Sequence, residues 1–293
     1  MININNELVF YCPQDHSSYL ESELIAKDLG VKLIDDANDI AAIDVIDPGV
    51  KYMLFWQEVN KIPCLAVASP QAINKRQILN GLYVDYNNKL IAGKKTYKFS
   101  YQDALPKAMG LAKLKDQSVS ILDGTAGFTL DAYALLQLHN NISLTLVENS
   151  KVLFYLVKDG LARLRLSSVS QHQSLANRVE LFNNNFIDYL KAHQAAKNYQ
   201  IIYLDPMFEK FEKSEKPGKI TSKPKQNMQL LQDLCSNPDE AENLMVAAFK
   251  YYQQHNIKGR VVLKRSSSQA KLLEKYVNYS VETKQIRYDV YLA

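Results

Sequence analysis

Hydrophobic and polar positions follow two different patterns along the chain, and the change falls near residue 90. Up to that point short apolar runs are mixed with one segment of helical spacing, Tyr19–Leu29, which is followed by Gly30, a residue that commonly ends helices. The apolar runs predict strands over residues 7–12, 31–34, 52–56, 64–68 and 81–86. Residues 1–90 are therefore predicted to form a small N-terminal α/β subdomain.

From residue 91 to residue 293, strand-like runs alternate regularly with helical patterns. The predicted strands cover residues 119–122, 143–147, 179–182, 200–204 and 260–264, and the predicted helices cover residues 130–138, 151–166, 228–235 and 241–254. Strands separated by helices predict an α/β fold with a doubly wound, mainly parallel sheet. Two alternating segments at the end, 276–281 and 287–292, predict a hairpin that brings the sheet to seven strands and places an antiparallel strand at its edge.

Composition excludes several classes of protein. Hydrophobic residues make up 47% of the 293 positions and charged residues 23%, which is ordinary for a soluble globular protein. No apolar run approaches the ~20 residues of a membrane-spanning helix, and the N-terminus lacks a basic region followed by a cleavable apolar segment. The three cysteines and five histidines have no metal-ligand or disulfide-framework spacing. We therefore expect a cytoplasmic protein with no membrane segment and no metal.

Charge is informative only where it is local. The net charge of +4 is too small to indicate nucleic-acid binding, because contacts with phosphates depend on nearby lysine and arginine side chains. Six lysines, beginning with Lys210 and Lys213, stand against three glutamates between residues 209 and 225. This segment is either a lid that grips RNA or a mobile, solvated loop, and the sequence leaves both interpretations open.

The first candidate for chemistry is the loop after the strand at residues 119–122. In open α/β sheets ligands bind beyond the carboxyl ends of the strands, and here the chain reads Asp123-Gly124-Thr125-Ala126-Gly127. The loop is neither a GxGxxG dinucleotide loop nor a phosphate loop. Small residues permit close approach of the backbone, and an acid at the front suits a ligand that carries an ammonium and a sulfonium group. An ordinary tight turn is the alternative.

The next two strand ends add polar residues of the kind that bind a nucleoside. Glu148 can accept hydrogen bonds from both hydroxyls of a ribose. Asn183, Asn184 and Asn185 can bond the edge of an adenine, and Phe186 can stack on its ring. The alternatives are an ordinary strand-ending acid for Glu148 and a polar turn that caps the following helix for the asparagines.

The fourth strand is followed by the most specific motif, Asp205-Pro206-Met207-Phe208. The exocyclic amine of guanine or adenine is a poor nucleophile because its lone pair is delocalised into the ring, so it needs orientation more than it needs a strong base. Asp205 and the Pro206 carbonyl are natural acceptors for the amine hydrogens, and Phe208 is a natural stacking platform for the base. We therefore predict these three residues as catalytic, with a plain Asp-Pro turn as the alternative.

The fifth strand ends in two basic residues, Lys264 and Arg265, which can face RNA phosphate or the base. A solvated strand end explains them equally well. Together with Lys210 and Lys213 they form a provisional set of RNA contacts.

In their order and spacing, these motifs resemble the RsmJ family of small-subunit ribosomal RNA guanine-N2 methyltransferases. The resemblance covers about residues 80–293 and is carried by residues 81–86 (GLYVDY), 105–111 (LPKAMGL), 122–131 (LDGTAGFTLD), 146–149, 159–163, 203–208 (YLDPMF), 261–265 (VVLKR) and 287–291 (RYDVY). It implies a class I, Rossmann-like methyltransferase fold and S-adenosylmethionine as the methyl donor. It also implies 16S ribosomal RNA or the small ribosomal subunit as the partner, and a cytoplasmic location.

The resemblance also assigns cofactor contacts by position. They fall on Leu130, Asp131, Glu148, Asn149, Asn185, Phe186 and Asp205, and the positions of Asp123 and Gly127 are kept. The chain departs from the family pattern at Thr129, Leu130, Asn149 and the pair Asn185-Phe186.

Two other functions stay open beside the leading prediction, which is in-line methyl transfer from S-adenosylmethionine to a guanine N2 in 16S ribosomal RNA. An Asp-Pro-x-aromatic motif serves the adenine N6 amine as well, and only the resemblance favours guanine. The departures from the family pattern also fit an RNA-binding module built on a methyltransferase that has lost its activity.

Overall fold

A computed structural model describes residues 7–36, 47–69, 81–87, 90–91, 93–193, 197–206, 234 and 241–293. The chain divides into two compact units. The first comprises residues 1–95, 151–167 and 223–236, and the second comprises residues 96–150, 168–222 and 237–293. The domain boundary near residue 90 stays a prediction. The lysine-rich segment 209–225 and the predicted helix over residues 228–235, apart from Leu234, lie outside the described residues.

The first unit contains a four-stranded sheet and a three-stranded sheet. Its described elements, labelled in chain order, are β1 (Leu8–Tyr11), α1 (Tyr19–Leu29), β2 (Lys32–Ile34), β3 (Tyr52–Val59), β4 (Ile62–Ala68), β5 (Val84–Asp85), β6 (Leu90–Ile91), β7 (Lys94–Lys95) and α4 (Lys151–Arg165). The larger sheet has the order β2-β1-β3-β4, in which β1 is parallel to both neighbours and β4 is antiparallel to β3. The smaller sheet has the order β5-β6-β7. The first unit therefore mixes strands with helices, and the separate N-terminal α/β subdomain over residues 1–90 stays a prediction.

A buried ion cluster joins α4 to the strands of the first unit. Nη2 of Arg163 lies 2.7 Å from Oδ2 of Asp159, and its Nη1 lies 3.8 Å from Oδ1 of Asp85. Arg163 also donates to the Val84 carbonyl, and Asp159 accepts the Leu65 amide at 3.1 Å. Because the three charged side chains are largely shielded from water, the cluster fixes α4 against β4 and β5.

The second unit is built on a seven-stranded sheet. Its described elements are α2 (Ala104–Met109), β8 (Val119–Asp123), α3 (Leu130–Leu138), β9 (Ile142–Glu148), α5 (Ser170–Ala176), β10 (Val179–Asn183), α6 (Phe186–Ala192), β11 (Ile201–Leu204), α7 (Ala241–His255), β12 (Arg260–Ser266), β13 (Tyr279–Glu282) and β14 (Ile286–Leu292), with 3-10 turns at Leu111–Lys113 and Glu274–Tyr276. The strand order is β10-β9-β8-β11-β12-β14-β13, with the first five strands parallel. The antiparallel hairpin of β13 and β14 forms one edge. The predicted seven-stranded, mainly parallel sheet with a terminal hairpin is confirmed.

Two predicted strands are shorter than the sequence pattern suggests. Over residues 81–86 only Val84–Asp85 forms a strand, because Leu82 is held by a single isolated bridge to β4. Near the C-terminus a 3-10 turn occupies Glu274–Tyr276, so the strand predicted from residue 276 begins at Tyr279.

Strand register sorts the residues of the second unit onto the two faces of the sheet. One face packs against α6 and α7 in an apolar core that includes Leu122, Ile202, Leu204, Val261 and Leu263. Asp123 and Tyr203 are registered partners in β8 and β11, and they point to the opposite face because side chains alternate along a strand. Lys264 lies two residues beyond Val262, the partner of Tyr203 in β12, so it shares this second face. The candidate site lies on this second face, at the carboxyl ends of the strands.

Candidate active site

Four carboxylates and one lysine meet at the carboxyl ends of the parallel strands. Asp123 ends β8, Glu148 ends β9 and Asp205 follows β11. Asp131 lies in the first turn of α3, and Lys264 lies near the end of β12. Parallel strands bring their carboxyl ends to one edge of a sheet, which is where ligands bind in this kind of fold. The sequence predicts all five for the site or its surroundings, and the structure brings them together.

Asp123 is almost completely buried, with 4% of its surface exposed. Its Oδ1 accepts a hydrogen bond from the Thr125 amide at 3.1 Å. Burial raises the pKa of Asp123 to about 8. The negative charges of three neighbouring carboxylates add to this increase, and the Thr125 amide acts against it. At neutral pH the free protein therefore holds Asp123 mostly protonated, and a cation bound beside it favours the ionised form.

Glu148 is also buried, and it holds the glycine loop in place. Its Oε2 accepts the Gly127 amide and its Oε1 accepts the Ser150 amide, each at 2.7 Å. Gly127 has a φ of +53°, a left-handed conformation that favours glycine. Burial raises the pKa of Glu148, although the backbone amides oppose the increase. A carboxylate has about four lone-pair positions, so Glu148 keeps capacity to accept from the hydroxyls of a ligand.

Gly124 is required by close packing. A Cβ atom at this position would lie 2.4 Å from Cδ2 of Phe186 and 2.8 Å from Cδ2 of Leu204. Phe186 is only 3% exposed and belongs to the apolar core that includes α6 and α7. Its ring thus packs against the first loop, and stacking of this ring on an adenine stays a prediction.

Other residues predicted to contact the cofactor lie at the same edge of the sheet. Asn185 caps α6, since its Oδ1 accepts the amides of Ile187 at 2.8 Å and Asp188 at 3.4 Å. Helix capping is the alternative role that the sequence allows for this asparagine. Asn149 is exposed directly after β9, and Leu130 is half-buried at the start of α3. Contact of these residues with the cofactor stays a prediction.

Lys264 lies between two carboxylates and bonds both. Its Nζ is 2.9 Å from Oδ2 of Asp131 and 2.8 Å from Oδ2 of Asp205. Two tyrosine hydroxyls also bond Asp131: Tyr203 donates to Oδ2 at 2.7 Å, and Tyr97 donates to Oδ1. These five side chains form one hydrogen-bonded group, the lysine–aspartate cluster.

The electrostatics of the lysine–aspartate cluster favour its ionised form. Burial opposes the charge on Lys264, but Asp205 and Asp131 outweigh this effect and raise the pKa of the ammonium. Burial likewise opposes ionisation of Asp131, but Lys264 and the two tyrosine hydroxyls lower the pKa of Asp131 below its ordinary value. For Asp205 burial outweighs Lys264, so the pKa of Asp205 is raised. Asp205 is therefore a better proton acceptor than an ordinary aspartate, and it depends on Lys264 to stay ionised as the pH falls.

Asp205 is also fixed through its backbone. Its amide donates to Oγ1 of Thr125 at 2.6 Å, which ties the loop after β11 to the loop after β8. Pro206 follows it and is buried. The predicted catalytic edge thus lies directly beside the loop that carries Asp123.

The other predicted residues fall in two places. Phe208, Lys210 and Lys213 lie outside the described residues. Arg265 is half-buried near the end of β12 and donates to the carbonyl of Ala270 at 3.5 Å. The RNA contacts of the two lysines and of Arg265 stay predictions.

The sequence did not identify four residues that the structure adds to the site: Thr125, Tyr97, Tyr203 and Tyr288. Tyr203 lies two residues before Asp205, so the strand period of two was an available signal that both share a face. Tyr97 reaches the lysine–aspartate cluster from 34 positions away in the sequence. Tyr288 is the registered partner of Lys264 in the pairing of β12 with β14. Neither of these two contacts leaves a local signal in the sequence.

The strand order and the site together define a class of enzyme. A parallel sheet of the order found here, closed at one edge by an antiparallel hairpin, is that of class I methyltransferases. Buried carboxylates beside a glycine loop fit S-adenosylmethionine, whose ammonium suits Asp123 and whose ribose hydroxyls suit Glu148. The protein is therefore a class I, S-adenosylmethionine-dependent methyltransferase.

Comparison with known proteins identifies the family. Residues 60–293 match the family model of SAM-dependent methyltransferases. A ribosomal RNA small subunit methyltransferase J from Psychromonas ingrahamii is 30% identical over 211 residues, which cover 72% of this chain and 75% of the relative. Its counterpart from Haemophilus influenzae is 26% identical over 269 residues, which cover 90% and 96%. The chain belongs to the ribosomal RNA small subunit methyltransferase J family, as the sequence motifs predicted.

A solved structure agrees with the fold. The SAM-dependent methyltransferase from Neisseria gonorrhoeae superposes with a TM-score of 0.61 at 19% identity, covering 97% of this chain and 95% of that one. In the part of the chain that the structure describes, no helix has the length and apolar character needed to cross a bilayer. Among the same residues, no three or more His, Cys, Asp or Glu side chains are grouped so that they could hold a metal ion.

Proposed function

We propose that this protein methylates the exocyclic N2 of a guanine in the 16S ribosomal RNA of the small ribosomal subunit, in the cytoplasm. The observation that carries the proposal is the setting of Asp205, which follows β11 at the cofactor edge and is held by Lys264 and Thr125. The curated relatives, which are named for methylation of small-subunit ribosomal RNA, support the substrate.

Asp123 and Glu148 are the residues that we expect to hold the cofactor. Asp123 suits the ammonium group, Glu148 suits the ribose hydroxyls, and Gly127 permits close approach of the backbone. Further proposed contacts are Leu130, Asp131, Asn149, Asn185, Phe186 and Asp205. When bound, S-adenosylmethionine supplies an electrophilic methyl group on its sulfonium.

Asp205 orients the guanine amine. Its carboxylate accepts one hydrogen of the amine and the Pro206 carbonyl accepts the other, which turns the nitrogen lone pair toward the methyl donor. Such positioning is the main contribution required here, and in favourable cases it lowers a barrier by about 7–11 kcal/mol. N2 loses one proton when it is methylated, and the raised pKa of Asp205 makes this carboxylate a suitable first acceptor.

The RNA contacts are proposed from charge and stacking. Phe208 is the proposed platform for the base, and Lys210, Lys213 and Arg265 are the proposed contacts with phosphates. The sequence also predicts Lys264 as an RNA contact, but its ammonium is paired with Asp131 and Asp205 within the site. We therefore assign Lys264 to the active site rather than to the phosphates.

Methyl transfer to purified small ribosomal subunits tests the proposal. Subunits that lack the modification are incubated with the protein and methyl-labelled S-adenosylmethionine, and the RNA is digested to nucleosides. Label in N2-methylguanosine is the expected result. Label in N6-methyladenosine would favour the adenine alternative, and binding of RNA without any transfer would favour a module that has lost its activity.

A further inference from the structure

The lysine–aspartate cluster contains one cation, Lys264, to which the methyl transfer described above assigns no step. Lys264 has 20% of its side chain exposed, compared with 15% for Asp131 and 33% for Asp205. Its Nζ contacts the Oδ2 atoms of both carboxylates, at 2.9 Å and 2.8 Å. The ammonium therefore bridges the first turn of α3 and the loop after β11.

Asp131 gives this bridge a fixed anchor. Both of its oxygens are engaged, one by Lys264 together with the Tyr203 hydroxyl and the other by the Tyr97 hydroxyl. The donors come from β12, from β11 and from the segment before α2, so three parts of the second unit converge on one carboxylate. A lysine held in this way has little freedom to follow Asp205 into other orientations.

The bridge also sets the charge around Asp205. Among the residues that the structure describes, those in electrostatic interaction with this carboxylate are Lys264, Asp131, Asp123, Tyr203 and Tyr288. Within this described set Lys264 carries the positive charge, and the two aspartates oppose ionisation of Asp205 when they are charged. An opposite charge at this distance lowers the pKa of a carboxyl by about 1–3 units.

We propose that Lys264 is a positioning residue for methyl transfer, which engages one oxygen of Asp205 and thereby presents the second oxygen, ionised, to the amine of the base. This inference deepens the proposed function and rests on it. The competing interpretation is a purely structural ion pair that fastens α3 to β12. The two interpretations differ in the pH dependence of activity. Loss of a structural pair lowers the amount of active enzyme equally at every pH, whereas loss of a positioning charge shifts the pH profile.

The experiment is the pH profile of kcat/KM for transfer to small subunits at saturating cofactor. In Lys264→Met a side chain of similar length carries no charge, so the acid limb should move to higher pH by about 1–3 units. In Lys264→Arg the charge is kept, and the limb should stay near that of the wild type. The matched control is Lys258→Met, which alters an exposed lysine just before the amino end of β12. This position lies at the other end of the strand from the site, so the variant should leave the profile unchanged.

Asp131→Asn gives a shift of opposite sign. Its negative charge raises the pKa of Asp205, and its removal leaves Lys264 to pair with Asp205 alone. The acid limb should therefore move to lower pH in this variant. A second readout is a carboxyl ¹³C NMR titration of the cofactor-free protein, in which the Asp205 signal is assigned by its loss in Asp205→Asn. The titration midpoint of that signal should rise in K264M and fall in D131N.

Opposite shifts in K264M and D131N support the proposal, and profiles of these two variants that superimpose on the wild type after scaling overturn it. Thermal unfolding of each variant shows whether it folds, and if K264M does not, the D131N profile decides the outcome. The wild type is assayed first, since absence of N2-methylguanosine contradicts the proposed function. An active wild type with an unshifted K264M profile contradicts only the role of Lys264.

Discussion

Replacement of Asp123 by asparagine tests whether cofactor binding is linked to the loss of a proton. The carboxyl group is almost fully buried, and burial together with three neighbouring carboxylates raises the pKa of Asp123 to about 8. With this pKa, about nine-tenths of the free protein carries the proton at pH 7 and about half carries it at pH 8. The ammonium of S-adenosylmethionine favours the ionised carboxylate, so binding should release that proton.

The raised pKa of Asp123 has two consequences of opposite sign. Between the ordinary pKa of 3.8 and the raised value of about 8, the folded free protein binds a proton that the unfolded chain has released. The contribution of Asp123 to the stability of the free protein therefore falls as the pH rises through this window. Cofactor affinity rises over the upper part of the same window, by up to about tenfold per pH unit, because fewer molecules must lose a proton before they bind. Asp123→Asn should remove this contribution from both dependences.

Isothermal titration calorimetry at pH 7, repeated in two buffers of different ionisation enthalpy, measures the protons released on binding. We expect wild type to release about 0.9 more protons per cofactor than D123N. Loss of one hydrogen bond to a charged group should weaken cofactor binding in D123N about 10- to 150-fold. Above pH 8, thermal unfolding should find the free D123N protein more stable than the free wild type. Equal proton release by the two proteins would refute the reasoning, even if the affinity of D123N fell.

Three further substitutions have expected outcomes. Gly124→Ala places a Cβ atom 2.4 Å from the Phe186 ring, so overpacking should lower the free energy of unfolding by about 1–3 kcal/mol and weaken cofactor binding; an unchanged urea midpoint would contradict the packing described. Arg163→Met leaves Asp85 and Asp159 without their shared cation and should destabilise the first unit by about 3–5 kcal/mol in thermal unfolding. The control, Arg165→Met, alters the exposed side of the same helix and should change stability by less than about 0.5 kcal/mol. Asn185→Ala removes the cap of α6 and should cost about 1 kcal/mol; Asn185→Asp keeps an acceptor and should restore most of it, and equal loss in both would argue against the cap.

The sequence predicted the parts of the structure whose signals are local. The helices Tyr19–Leu29 and Leu130–Leu138 have the predicted bounds, because the spacing of apolar residues marks the helical segments. Asp123, Glu148 and Asp205 could be assigned to one edge of the sheet because each of them follows or ends a parallel strand. These strand ends, together with the resemblance to the RsmJ family, predicted S-adenosylmethionine as the cofactor.

The pairing of side chains could not be predicted, because it depends on the register of distant strands. Lys264 was expected at the sheet edge, but its bridge between Asp131 and Asp205 follows from the alignment of β12 with β11. The Tyr97 hydroxyl reaches Asp131 across 34 positions of sequence. The place of α4 in the first unit depends on the buried cluster around Arg163. The sequence could not predict it, because the alternation of strands and helices does not show which unit a helix belongs to.

The central claim is that Asp205 orients the amine that is methylated, and a comparison of wild type with Asp205→Ala tests it most directly. Small subunits that lack the modification are incubated with each protein and S-adenosylmethionine, and the nucleosides of their RNA are quantified by mass spectrometry. We expect N2-methylguanosine with the wild type and none with D205A, while D205A keeps an affinity for the subunit close to that of the wild type. An equal yield of N2-methylguanosine from D205A would contradict the account.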